Sequence, residues 1–191
     1  MTGPAPLFPV FLKLTDRAVV VVGGGPVATS KLRALLDAGA QVTVVAPEVT
    51  PEIQTSGVSI RQRPFQATDL DDAWLVVAAA PPDVNRDVAA AAAARRLFVN
   101  AADDPAHASA YLGGVMRRQG VTVAISTDGE APALAGLIRQ ALEALLPESE
   151  VSRWVATAQK ERTTWLREHV PIERRRPLLL QALAGLYKDR S

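Results

Sequence analysis

The run Ala18-Val19-Val20-Val21-Val22 passes straight into Gly23-Gly24-Gly25-Pro26-Val27-Ala28. An unbroken β-branched run lacks the alternation of a half-exposed strand and predicts one buried on both faces, as in a parallel sheet. The glycines make G-x-G-x-x-A, and a helical spacing of Leu32, Leu35 and Leu36 follows, stopped by Gly39. A buried strand, a glycine turn and a helix in that order confine the chain to a βαβ unit. In that setting each small residue has a task. Gly23 allows the tight turn, Gly25 lets the backbone approach a pyrophosphate, and Ala28 lets the helix lie close to the strand. The helix N-terminus supplies unpaired N–H groups and a positive dipole end. A purely structural glycine turn would look the same in isolation; the strand before it and the helix after it favour dinucleotide binding.

The alternation continues. Gln41–Val45, Val58–Arg63, Trp74–Ala78 and Leu97–Asn100 read as strands, and Val84–Arg96 as a helix. Strands alternating with helices imply right-handed parallel crossovers, and hence an α/β, Rossmann-like, doubly wound open sheet. The pattern changes after residue 100. Ser109–Met116 and Val121–Ser126 read as the arms of an antiparallel hairpin around Arg117-Arg118-Gln119-Gly120. Ala133–Leu146 reads as a helix closed by Pro147. The tail 148–191 reads as helical, with Trp154, Trp165, Leu166 and Leu178–Leu180 on apolar faces. It holds nine basic and six acidic residues.

Composition narrows the chemistry. Over 191 residues the formal charge is +1, so no global field for nucleic acid exists. Cysteine is absent, which removes disulfides, thiol nucleophiles and thiolate metal sites. His107 and His169 are the only histidines, too few for a conventional zinc site. The apolar run Val88–Ala94 is far below the ~20 residues that span a bilayer. The N-terminus lacks a basic segment followed by an apolar one. The expectation is a cytoplasmic protein without a resident metal, and without a nucleic-acid or membrane partner.

Cofactor contacts are expected from Gly23, Gly24, Gly25, Pro26, Val27 and Ala28 in the loop. Ala46, Pro47 and Glu48 after the second strand, Ala79 after the fourth and Asn100 in the fifth complete the set. The acid that usually ends the second strand and grips a ribose 2′-hydroxyl is missing, since the strand ends Val44-Val45-Ala46-Pro47 and Glu48 comes late. No arginine stands there for a 2′-phosphate either, which favours NAD over NADP. The fifth strand delivers Asn100-Ala101-Ala102-Asp103-Asp104-Pro105 to the carboxyl edge, where ligands of open α/β sheets bind. A carboxylate there could take a proton while hydride leaves; Asp-Asp-Pro is also a common turn. His107 reads as a surface or hydrogen-bonding residue rather than a metal ligand. Ser126-Thr127-Asp128-Gly129 reads as an N-cap and turn, or as part of a substrate cleft.

Leu7-Phe8-Pro9-Val10-Phe11-Leu12, the glycine loop, Val45-Ala46-Pro47-Glu48, Asn100-Ala101-Ala102-Asp103-Asp104-Pro105 and Ala124-Ile125-Ser126-Thr127 occur in one order. That order resembles the precorrin-2 dehydrogenase/sirohydrochlorin ferrochelatase family, the N-terminal module of siroheme synthase. The resemblance covers nearly the whole chain. It implies an NAD-binding Rossmann domain over 1–108, a dimerisation region over 109–147 and a helical domain over 148–191. It also implies an interlocked homodimer and a catalytic aspartate at Asp103. The family's Gly-Gly-x-Ser-Pro stretch stands here as Asp128-Gly129-Glu130-Ala131-Pro132, without the serine and with two added carboxylates. The chain stops at Ser191, so the methyltransferase module of the fused enzymes is expected to be a separate protein.

The implied reaction oxidises precorrin-2 to sirohydrochlorin with NAD⁺, followed by insertion of Fe²⁺ as a second substrate to give siroheme. The macrocycle itself would ligate the iron. The tetrapyrrole's carboxylates could meet His107, Ser126, Thr127 and Arg139. Arg117, Arg118, Arg153 and Arg174–Arg176 are further candidates; each arginine reads equally as part of a solvated face. A dehydrogenase without chelation shares every motif. A non-catalytic NAD-sensing domain is the alternative from another class; such domains commonly keep the missing strand-end acid and do not need Asn100-x-x-Asp103. A short-chain reductase is excluded because Val115, not lysine, stands four after Tyr111.

Overall fold

The computed structural model describes residues 6–102 and 104–187. It divides into two compact units, the chain up to Leu112 with Asp128–Glu130, and Gly113–Thr127 with the chain from Ala131.

The first unit is the expected α/β fold. Five strands, β1 (Ala18–Val22), β2 (Gln41–Val45), β3 (Ser59–Arg61), β4 (Leu75–Ala78) and β5 (Phe98–Ala101), lie in the order β3-β2-β1-β4-β5. Every pair is parallel. Successive valines of β1 serve opposite cores. Val19 and Val21 join Val42, Val44, Leu75 and Val77 on one face. There α1 (Pro26–Asp37) covers them with Ala28, Leu32 and Leu35, and the short α2 (Pro51–Gln54) adds Ile53. Val20 and Val22 face α3 (Pro82–Ala94), which presents Val88, Ala89, Ala91 and Ala92. A strand buried on both sides has no polar face to keep, hence the uninterrupted run.

Gly39 ends α1 as expected, at φ +76°, with its N–H donating to the carbonyl of Leu36 and that of Ala40 to Leu35. Ser109 ties off the outer edge of β5: Val99 N–H donates to its hydroxyl at 2.9 Å, and its own N–H to the Val99 carbonyl at 2.9 Å. Ser109 to Gly113 therefore does not extend the hairpin arm, contrary to the sequence expectation.

In the second unit the hairpin is β6 (Gly114–Arg118) with β7 (Val121–Ile125). Arg117 and Arg118 belong to the strand, paired with Thr122 and Val121, and only Gln119-Gly120 turns. Both have positive φ, +46° and +84°, which suits the strand twist in a two-residue loop. Three helices follow: α4 (Pro132–Leu145), α5 (Glu148–Arg167) and α6 (Ile172–Gly185). The N-cap of α4 is Ala131, whose N–H donates to the Thr127 hydroxyl at 3.2 Å; Asp128 and Gly129 form a turn at positive φ. Met116, Ala135, Val151 and Trp165 are buried, whereas Leu166 and Leu180 are more than half exposed. Trp154 Nε1 donates to the Tyr187 hydroxyl at 2.6 Å, and that hydroxyl donates to Glu150, fastening the end of α6 to α5. Among the described residues no helix is long and apolar enough to cross a membrane.

Among the described residues of the first unit, one carboxylate is buried. Asp69, with its side chain 1% exposed, accepts from Arg61 Nη1 at 2.6 Å, Arg63 Nη1 at 2.9 Å and the Gln66 N–H at 2.9 Å. Burial pushes the carboxyl up. The hydrogen bonds from Arg63, the Gln66 amide and Arg61, with the charge of Arg63, outweigh it and bring Asp69 down to about 2. A depressed carboxylate stabilises the fold fully above its unfolded value near 4, and that contribution disappears as the pH falls towards about 2. Asp69→Asn is expected to lower stability by about 2 kcal/mol at neutral pH. Urea denaturation of the two proteins should give a constant gap above about pH 5 that closes between about pH 4 and 2. A gap unchanged across that window would refute the role given to Asp69.

Candidate functional site

The strand order reverses between β1 and β4, and the glycine loop leaves the sheet at that point. Its three glycines are there for three different reasons. Gly23 has φ +119°, and a β-carbon on it would collide with the carbonyl of Ala79 after β4. A β-carbon on Gly24 would collide with the carbonyl of Glu48 after β2. These two residues let the loop thread between its neighbouring strands, held by Gly23 N–H to the Val45 carbonyl (3.0 Å) and Thr50 N–H to the Gly24 carbonyl (2.9 Å). Gly25 has ordinary backbone angles, φ −86° and ψ −170°, and no described residue lies within 4 Å of where its β-carbon would be. The protein's own packing does not require glycine there. What the missing side chain preserves is free space outside.

That space is a cleft of about 640 Å³. Gly23, Gly24, Gly25, Pro26 and Val27 form one wall. Ala46, Pro47 and Glu48 beyond β2, and Ala79 beyond β4, form others. Gly25 is the N-cap of α1 and no side chain among the described residues caps that helix, so its first-turn N–H groups stay available to a ligand. An open cradle, an uncapped helix start and an apolar lining suit a dinucleotide's pyrophosphate and adenosine.

Pro64, Phe65, Ala80, Pro81 and Val84 also line the cleft and were not anticipated. Their signal was positional: they follow the ends of β3 and β4, the edge at which such sheets bind ligands. Asn85 was missed too. It is buried, and its Oδ1 accepts from the Ala80 N–H at 2.9 Å, fixing the loop after β4.

Two expected cofactor residues lie elsewhere. Ala28 is fully buried under α1 in the core, where its small size allows close packing. Asn100 is also buried; its Nδ2 donates to the Ala110 carbonyl at 2.9 Å, and its Oδ1 has no hydrogen-bond partner among the described residues. Asp103 lies outside the described residues. His107 is exposed and does not line the cleft; its Nδ1 pairs with Asp104 at 2.8 Å. Ser126, Thr127 and Arg139 belong to the second unit. Ser126 is exposed, and Arg139 Nη1 donates to Glu143 at 2.6 Å. No group of three or more His, Cys, Asp or Glu side chains that could hold a metal ion occurs among the described residues.

Residues 10–114 match the family described as "Putative NAD(P)-binding", and residues 118–145 match "Sirohaem biosynthesis protein central". The siroheme synthase of Xylella fastidiosa is 43% identical over 192 residues, covering 97% of this chain and 40% of that protein. The siroheme synthase of Tolumonas auensis is 45% identical over 143 residues, covering 73% of this chain and 31% of its own length. The chain thus spans between about three and four tenths of these relatives. Among solved structures, "SirC, precorrin-2 dehydrogenase" superposes with a TM-score of 0.71 at 28% identity, covering 92% of this chain and 88% of that one. The glycine cradle, the NAD(P)-binding match over more than half the chain and the sirohaem-specific region after it lead to one conclusion: the chain belongs to the precorrin-2 dehydrogenase/sirohydrochlorin ferrochelatase family.

Proposed function

We propose that the protein is an NAD-dependent oxidoreductase that converts precorrin-2 to sirohydrochlorin in siroheme synthesis. The observation that carries this reading is Gly25, a glycine without an internal reason, facing a cleft at the uncapped start of α1. Bound NAD⁺ supplies the hydride acceptor. The chain supplies the rest. The loop N–H groups hold the pyrophosphate, and the walls after β2, β3 and β4 hold the adenosine and exclude water. Asp103 accepts a proton from the tetrapyrrole as conjugation extends. Similarity to the siroheme synthases supports a second step, insertion of Fe²⁺ as substrate, in which Asp103 would accept pyrrole N–H protons while the macrocycle ligates the metal.

The domain division is proposed as 1–108 for the cofactor, 109–147 for dimerisation and 148–191 as a helical domain. A homodimer is supported by the apolar residues that α4 leaves exposed: Leu134, Leu137, Ile138 and Leu145. Four exposed aliphatic side chains on one helix form a patch of the kind that marks an interface. A cytoplasmic location fits a reaction that draws on NAD.

Incubation of the protein with precorrin-2 and NAD⁺, followed by the absorbance of NADH, tests the reading directly. Turnover supports it; NAD binding without turnover would favour a sensing domain. Gly25→Val places a branched side chain in the cleft without striking the protein. NAD affinity should fall more than about tenfold, about 1.4 kcal/mol, with the fold intact by circular dichroism. Unchanged binding in a folded variant would sink the cradle assignment. Asp103→Ala should retain NAD affinity and lose oxidation by roughly 10²–10⁴-fold, whereas Asp104→Ala, whose carboxylate pairs with His107, should stay within a few-fold of wild type. Near-normal oxidation by Asp103→Ala would remove that residue from the mechanism. For assembly, Leu137→Asp should convert a dimer to a monomer in sedimentation at micromolar concentration; a wild-type monomer would contradict the interface.

A further inference from the structure

We propose that Asp69 is a specificity residue: by engaging Arg61 and Arg63 it keeps both guanidinium groups out of the cleft, so the site selects a dinucleotide with a free 2′-hydroxyl over one carrying a 2′-phosphate. The inference rests on the dinucleotide reading above and concerns which dinucleotide is taken.

In sheets of this topology the adenosine ribose lies beyond the end of the second strand, and an arginine there is what accommodates a 2′-phosphate. The segment after β2 carries no arginine, but β3 ends in Arg61 beside it, and Arg63 follows just past the strand. Arg61 pairs with Val45, the last residue of β2, and the Arg61 carbonyl accepts from Ala46 N–H at 3.2 Å. Arg63 directly precedes Pro64 and Phe65, which line the cleft. The backbone therefore puts both arginines at the adenosine end. Their heads do not line the cleft. Arg61 Nη1 lies 2.6 Å from Asp69 Oδ1, while Arg63 grips both oxygens of the same carboxylate and donates to the Pro64 carbonyl at 2.9 Å. Asp69 cannot swing away with them, because its side chain is 1% exposed and the Gln66 N–H holds its second oxygen.

What remains in the cleft has the opposite sign. Among the described residues lining it, Glu48 is the only charged one. A 2′-phosphate, with a charge of about −1.5 to −2, would meet a carboxylate and no cation. A 2′-hydroxyl can donate to a carboxylate. Without the Asp69 charge, two half-exposed arginines lose the partner that pins them and become free to turn towards an incoming phosphate.

Calorimetric titration of the full chain with NAD⁺ and with NADP⁺ tests this. Wild type should bind NADP⁺ at least about tenfold more weakly than NAD⁺. Folded Asp69→Asn should narrow that ratio by about tenfold, with NAD⁺ affinity within about twofold of wild type. Adding Arg63→Ala to Asp69→Asn should restore much of the discrimination. Arg61→Ala and Arg63→Ala alone, both at half-exposed positions and independent of whether Asp69→Asn folds, should leave both affinities unchanged. A wild-type ratio in folded Asp69→Asn overturns the proposal, as does selective weakening of NADP⁺ by either single arginine variant, which would mean the arginines already reach the cleft. A wild-type protein that binds neither dinucleotide overturns the cofactor reading itself, and this inference with it.

Discussion

The structure depends on how closely the loop after β1 passes its neighbours. Gly23 lies against the carbonyl of Ala79 and Gly24 against that of Glu48, at distances no side chain would tolerate. Because the backbone fits there, α1 starts at the sheet edge and Ala28 can sink into the core beneath it. The same passage opens the cleft at the point where strand order reverses. Two glycines build the loop, and the third leaves room for what the loop holds. Only the third belongs to ligand recognition in the narrow sense. A side chain at either of the first two would displace the scaffold that makes recognition possible.

Polar groups around the cleft are arranged to position backbone rather than to react. Asn85 fixes the turn after β4 through Ala80, and Thr29 and Thr50 share a hydroxyl contact of 2.8 Å between the starts of α1 and α2. Asp69 gathers Arg61 and Arg63 onto one buried carboxylate. A buried carboxylate is costly to leave unpaired, so that cluster is rigid. The cleft is thereby left apolar apart from Glu48, which suits a ligand whose own charge is met by helix N–H groups instead of side chains.

The sheet was legible because its evidence is local. A strand buried on both faces must be apolar throughout, and β1 and β4 announce themselves by it. The helix α1 is bounded by Pro26 and Gly39, whose conformational preferences do not depend on tertiary context. The hairpin was legible in outline only. Arg117 and Arg118 read as part of the turn, yet they pair with Thr122 and Val121 in the strand, and the turn needed only Gln119-Gly120 with its two positive φ angles. The segment after β5 read as extended, but its hydrogen bonds go to Val99, a partner that sequence alone does not name.

By itself the sequence determined the parallel α/β architecture, the loop and its direction of use, since period, glycine placement and proline placement are properties of short segments. Tertiary structure decided which residues share the cleft. It brought Pro64, Phe65, Pro81 and Val84 to the loop from the segments that follow β3 and β4, and left Ala28 and Asn100 in the interior. It also decided what Arg61 and Arg63 do, because their partner Asp69 lies on a different segment and its carboxylate is held where it can reach both. Membership of a cleft depends on register between strands, and register is set by the packing of both sheet faces together.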